Sequence, residues 1–124
     1  MIIIINYNEE KDWIGDGQMF LQIRKLVVQE GSSDQVVERF SKPGIVEEQE
    51  GFIDMTVLLK KVRRGEEEVV IQIRWESEQH WKQWEKSDAH IAGHKAKIGQ
   101  PKPEYIISSE GGLYEVKAVK TAKP

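Results

Sequence analysis

The chain has 124 residues, of which 39% are hydrophobic and 31% charged, the balance of one ordinary globular domain and too little for two. Its formal charge of −3 lies entirely in residues 1–18, where Glu9, Glu10, Asp12 and Asp16 oppose only Lys11, so residues 19–124 sum to zero. Such neutrality argues against nucleic acid as a partner, because counterion release needs a concentrated cationic surface; the lack of cysteine removes disulfides, thiolate metal sites and cysteine nucleophiles together.

Residues 1–18 show no period. The run Ile2 to Ile5 falls far short of the roughly 20 residues that span a bilayer and lacks the flanks of a signal peptide. No membrane partner and a cytoplasmic location are therefore expected. Gly15-Asp16-Gly17 can be encoded as a purine run of the kind that precedes a start codon, and Met19 follows directly. The expectation is that 1–18 is an extension arising from gene-start misassignment and dispensable for function. The alternative is a genuine extension whose isoleucines form an edge strand and whose Trp13 packs on the domain.

From Met19 the pattern is regular. Phe20 to Val28 is rich in β-formers and ends at a Gly-Ser turn, which predicts a strand. A Ser/Asp start, Val36, Val37 and Phe40 at helical spacing and a Pro43-Gly44 stop predict a short amphipathic helix, resuming briefly toward Glu48. Gly51 to Val62 and Glu67 to Glu76 predict a hairpin around a charged tip, with Ile53, Met55, Val57 and Leu59 on one face of its first strand and Phe52 and Leu58 on the other. Ser77 caps a helix to Lys86, and Ser87 or Asp88 caps another turn of helix. The last strand is predicted over Tyr105 to Val119, interrupted at Gly111-Gly112 by a turn or bulge. The order β-α-β-β-α-β is the ferredoxin-like split βαβ: an α+β fold with both helices on one face of an antiparallel sheet. The uncovered face predicts a homodimer. The regular domain runs from 19 to 119, leaving 120–124 as a tail.

Chemistry concentrates between Trp81 and Lys95, in WKQWEKSDAHIAGHK. His90 and His94 are four apart, a spacing that puts both on one helical face, but no third clustered ligand accompanies them as a zinc site requires. By default they read as an exposed His90 and a partly buried, hydrogen-bonded His94. Haem iron needs only one protein histidine. Trp75, Trp81 and Trp84 are core residues by default, although the Ser87-Asp88 break lets Trp84 and His94 approach opposite sides of a flat ligand.

The segment ERFSKPGIVEEQEGFIDMTVL, and after it IRWESEQHWKQWEKSDAHIAGHKAK, resembles the haem-degrading monooxygenases of the IsdG and HmoA type, within the antibiotic biosynthesis monooxygenase superfamily. The likeness spans about Met19 to Val119 and is nearest to the HmoA branch. It implies a dimeric α+β barrel in which His94 is the proximal ligand of the haem iron and Trp84 lies over the porphyrin. It further implies haem as both substrate and cofactor, O2, and an external electron donor, whether a reductase or a small-molecule reductant. Some members carry an asparagine on the first strand where this chain has Arg24; arginine cannot reproduce a neutral amide but can donate to a distal oxygen ligand or pair with a haem propionate, and Gln22 on the same face is a second candidate for the asparagine's place. The competing readings are a cofactor-free monooxygenase acting on a small aromatic or quinol, since one fold hosts several chemistries, and a non-catalytic haem-binding module.

Overall fold

The computed structural model describes residues 3–5 and 19–123. In chain order the elements are β1 (Ile3–Ile5), β2 (Phe20–Val28), α1 (Ser33–Ser41), a 3-10 turn at Val46–Glu48, β3 (Phe52–Leu59), β4 (Glu67–Trp75), α2 (Glu78–Lys86), α3 (Asp88–Lys97), β5 (Ile106–Glu115) and β6 (Val119–Thr121). Strands β3-β4-β2-β5 form one antiparallel sheet in that order, which is the ferredoxin-like topology predicted. β1 pairs with β6 in a separate two-stranded sheet, so Ile3–Ile5 meets the C-terminal segment and not the edge of the main sheet. Trp13 lies outside the described residues.

Alternation along β2 and β4 decides where the core sits. Leu26 and Val28 from β2, Val69 and Ile71 from β4 and Val36 from α1 form a buried cluster, with Phe40, Met55, Val57 and Ile106 packed around it. Each fully buried aliphatic side chain contributes on the order of 1.5–3 kcal/mol. At the far end of the same face, Phe20 meets Trp81 at 5.5 Å and the buried Trp75 meets Phe52 edge-on at 5.8 Å. The opposite face carries Leu21, Ile23, Val27, Leu58, Val70 and Tyr114, placed there by the register with Arg74, Gln72 and Lys25, and no described element covers it.

Two expectations are corrected. The register of β3 shifts between Phe52 and Asp54, so Phe52 turns to the helix-covered face to meet Trp75, and Ile53 is the extra residue of the bulge. Alternation counted through that point assigns Phe52 to the wrong face. Likewise β5 runs unbroken through Gly111 and Gly112, paired with Arg24 and Ile23, and its irregularity lies opposite Val27/Val28. The strand ends at Glu115, and Val119 belongs to β6.

The helices begin in different ways. Ser77 Oγ accepts the His80 amide at the start of α2, and Ser87 Oγ accepts the His90 amide at the start of α3, both at 3.2 Å. Helix α1 has no side-chain cap from Ser32; instead the Glu67 carboxylate at the start of β4 accepts the amides of Gly31 and Ser33 at 3.0 and 2.9 Å. A negative charge there also suits the positive end of the helix dipole.

Candidate functional site

Ser87 ends one helix and starts the next. Its amide and its hydroxyl both donate to the Trp84 carbonyl, at 3.0 and 2.7 Å, while Oγ accepts from His90. Its extended backbone turns the chain, and α3 then stands against α2 with none of its residues buried. Between α3 and the sheet lies open space.

The rings between Trp84 and His94 meet in series. Trp84 contacts His90 at 4.8 Å and His90 contacts His94 at 4.5 Å, both near edge-on. His90 Nε2 lies 2.7 Å from Glu85 Oε2, with its side chain only 17% exposed. His94 is exposed, with no hydrogen bond or ion pair among the described residues. This reverses the default expectation for the two histidines: the turn at Ser87 aims His90 inward at Glu85 and leaves His94 outward. Trp84, His90 and His94 together line a cavity of about 170 Å³ with Gly93 and Lys97. The third histidine, His80, is taken up elsewhere: Nδ1 is 2.7 Å from Ser77 Oγ, and the ring packs over Gly51, whose φ of +84° and missing side chain allow it.

His94 and Lys97 also border a larger cavity, about 450 Å³, on the helix-covered face of the sheet. Its apolar wall is Leu26, Phe40 and Ile106; its charged lining is Arg24, Arg39, Lys97 and Lys102, with no carboxylate among them. Within a domain that is neutral from residue 19 onward, four cations around one apolar cleft are a local concentration of positive charge. Arg24 leans across β5 to donate to Ser109 Oγ at 2.9 Å. On the other side of Arg24 a third cavity, about 240 Å³, is lined by Gln22, Trp81, Glu85, Gly111 and Leu113. Two buried polar atoms here lack partners, Gln22 Oε1 and Trp81 Nε1.

The residues expected from the sequence are spread over three cavities, Trp84 and His94 on the smallest, His94 and Arg24 on the largest, and Arg24 and Gln22 on the third. Gln22 and Arg24 share a strand face, as their spacing requires, and His94 faces Arg24 across the larger cavity. Trp84 reaches the site through the smaller one. Sequence reasoning missed Glu85, Arg39, Lys97 and Lys102. Lys97 had a signal, three residues beyond His94 on the same helix; Arg39 and Lys102 had none, because they arrive from elements distant in the chain. Among the described residues no three His, Cys, Asp or Glu side chains converge as a metal cluster.

A flat tetrapyrrole with two carboxylates fits this cleft. The apolar wall suits the ring, the unpaired cations suit the carboxylates, and the unpartnered His94 imidazole suits a metal in need of one ligand.

The antiparallel split βαβ sheet carries this cleft on its helix-covered face, with α1 and α3 supplying its walls. The chain belongs to the antibiotic biosynthesis monooxygenase family, whose model matches residues 19–96. Over 102 residues it is 69% identical to the heme-degrading monooxygenase HmoA of Bacillus subtilis strain 168, covering 82% of this chain and 94% of that protein. A crystal structure of an antibiotic biosynthesis monooxygenase-type protein from Bacillus cereus superimposes with a TM-score of 0.75 at 51% identity, over 86% of this chain and 98% of the other. The heme degrader MhuD of Mycobacterium tuberculosis, crystallised with two hemes in its active site, shares the fold at a TM-score of 0.56 and 21% identity, over 78% and 94% of the two chains.

Proposed function

We propose that this protein is a haem-degrading monooxygenase that opens haem oxidatively with O2 and electrons from an external donor, releasing iron and a linear tetrapyrrole. The observation that carries the reading is the acid-free cleft in which four cations and an apolar wall surround one unpaired histidine. The name borne by the Bacillus subtilis relative supports it. Bound haem is both substrate and the source of the oxygen-activating iron.

The chain's own residues then take these roles. His94 supplies the iron ligand, since its ring has no competing hydrogen bond. Arg39, Lys97 and Lys102, all three exposed, neutralise the propionates, and charge-assisted bonds of this kind set orientation. Trp84 bears on the ring and biases its shape. Arg24 and the Gln22 amide stand on the sheet side, where each can donate a hydrogen bond to a group held in the cleft, Arg24 in exchange for its bond to Ser109.

Adding haemin to the purified protein, with and without ascorbate, tests the reading. A Soret band that decays to bilin absorption under reductant is expected. Binding without decay makes the protein a haem-binding module, and no binding leaves a cofactor-free oxygenase as the surviving alternative.

A second copy of the chain covers the open face of the sheet in this proposal, because Leu21, Ile23, Val27 and Val70 lie there half-buried with Leu58 and Tyr114 exposed beside them. A monomeric mass in analytical ultracentrifugation would reject it. No helix of the described residues is long and apolar enough to cross a membrane. The cytoplasm, which supplies reductant, suits the reaction.

A further inference from the structure

Gly111 has no explanation in the fold. It sits inside β5, where a glycine weakens the strand and packs nothing. Its backbone is not in the left-handed region, unlike Gly31, Gly51, Gly65 and Gly99. It belongs to no bulge, for the pairs Arg24–Gly111 and Ile23–Gly112 follow in register and the irregularity of β5 lies at Val27/Val28. Nor is it crowded: a Cβ at 111 would have as its nearest atom the Ile23 carbonyl oxygen, at 3.6 Å. Its neighbour Gly112 differs, since a Cβ there would press on the Tyr114 ring, 2.9 Å from the hydroxyl. At Gly112 only the exposed Tyr114 side chain would have to move, and Gly111 is free to be any small residue.

The pairing with Arg24 turns position 111 toward the helix-covered face, between Ser109 and Leu113. It forms part of the floor of the 240 Å³ cavity walled by Trp81, Glu85 and Gln22. Gln22 and Trp81 supply two of its walls, although their unpartnered Oε1 and Nε1 atoms are buried behind its surface. A bare backbone in the middle of a strand, facing a cavity, is what close approach of a ligand demands.

We propose that Gly111 is a specificity-determining residue: the missing side chain seats one edge of the flat tetrapyrrole against β5, and so fixes which edge of the ring faces Gln22 and Arg24. This rests on the haem reading of the cleft. A larger residue at 111 would lift or rotate the ring, changing both affinity and the position at which it is opened.

The test is a size series, Gly111→Ala and Gly111→Val, in the full chain. Circular dichroism and thermal melting should show an intact fold, because the Ala methyl has room and Val favours strands. Haemin titration by the Soret band should show affinity about ten-fold weaker for Ala and weaker again for Val, the scale on which a pocket resists one added carbon. The ratio of bilin isomers should shift in the same order. Affinity and isomer ratio in Gly111→Ala and Gly111→Val equal to those of a parent that binds haemin would overturn the inference alone. A parent that binds no haemin would overturn the reading of the cleft beneath it.

Discussion

Helices α1 and α3 are of similar length and lie on the same side of the sheet, yet one is part of the core and the other is not. Helix α1 buries Val36 and packs on β4 and β3, and its N-terminus is tied to β4 by the Glu67 carboxylate. Helix α3 buries nothing, packs on α2, and is capped only by the residue before it. The difference teaches where a small domain keeps its cavity. Stability is gathered under α1, and the second helix of the α2–α3 pair is turned away at Ser87, leaving a cleft with His94 at its mouth. Core substitutions under α1 that do not line the cleft should therefore move stability and leave ligand binding, and those on α3 the reverse.

The largest effect on stability is expected from Ile71→Ala. Ile71 is 3% exposed within the core cluster, and removing its branched side chain from such a site costs about 2–5 kcal/mol. Chemical denaturation should show that loss, while haemin affinity, measured where the variant is still folded, should stay within a few-fold of the parent. A comparable loss of affinity would mean that the core and the cleft are one cooperative unit. His94→Ala should do the opposite. An exposed helical side chain without hydrogen bonds contributes at most about 0.5 kcal/mol to stability, but its removal should abolish the ligated Soret spectrum. An unchanged spectrum would place the iron ligand elsewhere.

Much of this contrast was legible in the sequence, and the rest was hidden for identifiable reasons. β2, α2 and their limits follow from local signals: a nine-residue run of β-formers, a serine cap and helical spacing. The corrected points depend on contacts distant in the chain. Phe52 changes face because Trp75 offers an aromatic partner, and β5 survives two glycines because β2 pairs along it. The Glu67 cap of α1 joins residues more than thirty positions apart, and no local motif announces it. At the site, Trp84 and His94 were recognisable from the family pattern, but which histidine points inward depends on the rotation of α3 set by Ser87. The cationic ring was invisible because Arg24, Arg39, Lys97 and Lys102 come from three separate elements and a loop.

His90→Ala sharpens the comparison from within α3. His90 is the one histidine of the helix with a polar partner, Glu85, and its ring separates Trp84 from His94. Removing it should lower stability by about 1 kcal/mol, the scale of one partly exposed hydrogen bond. Haemin should still bind, with a ligated spectrum but reduced affinity, because His94 keeps its place on the helix and loses the ring beside it. A full loss of the Soret shift, equal to that of His94→Ala, would make His90 the ligand.

The smallest effect, and the most specific, concerns the tether of α1. Hydrogen bonds from the Ser33 amide and hydroxyl, and less strongly from the Gly31 and Ser32 amides, hold the Glu67 carboxyl below its ordinary value of 4.5. The unfolded chain therefore takes up this proton first as the solution is acidified. The stabilisation is present in full above about pH 4.5 and is lost as pH falls through the folded-state value. Glu67→Gln keeps an acceptor for the Ser33 amide but removes the charge, and with it this pH dependence. The parent should be the more stable at pH 7, and the gap between the two melting curves should close below pH 4.5. Asp54, held low by its bonds from Arg74, and Glu47, held low by the Gly44 amide, titrate in both proteins, so they cancel in the difference. A gap that stayed constant into acid would show that Glu67 acts at α1 through its shape alone.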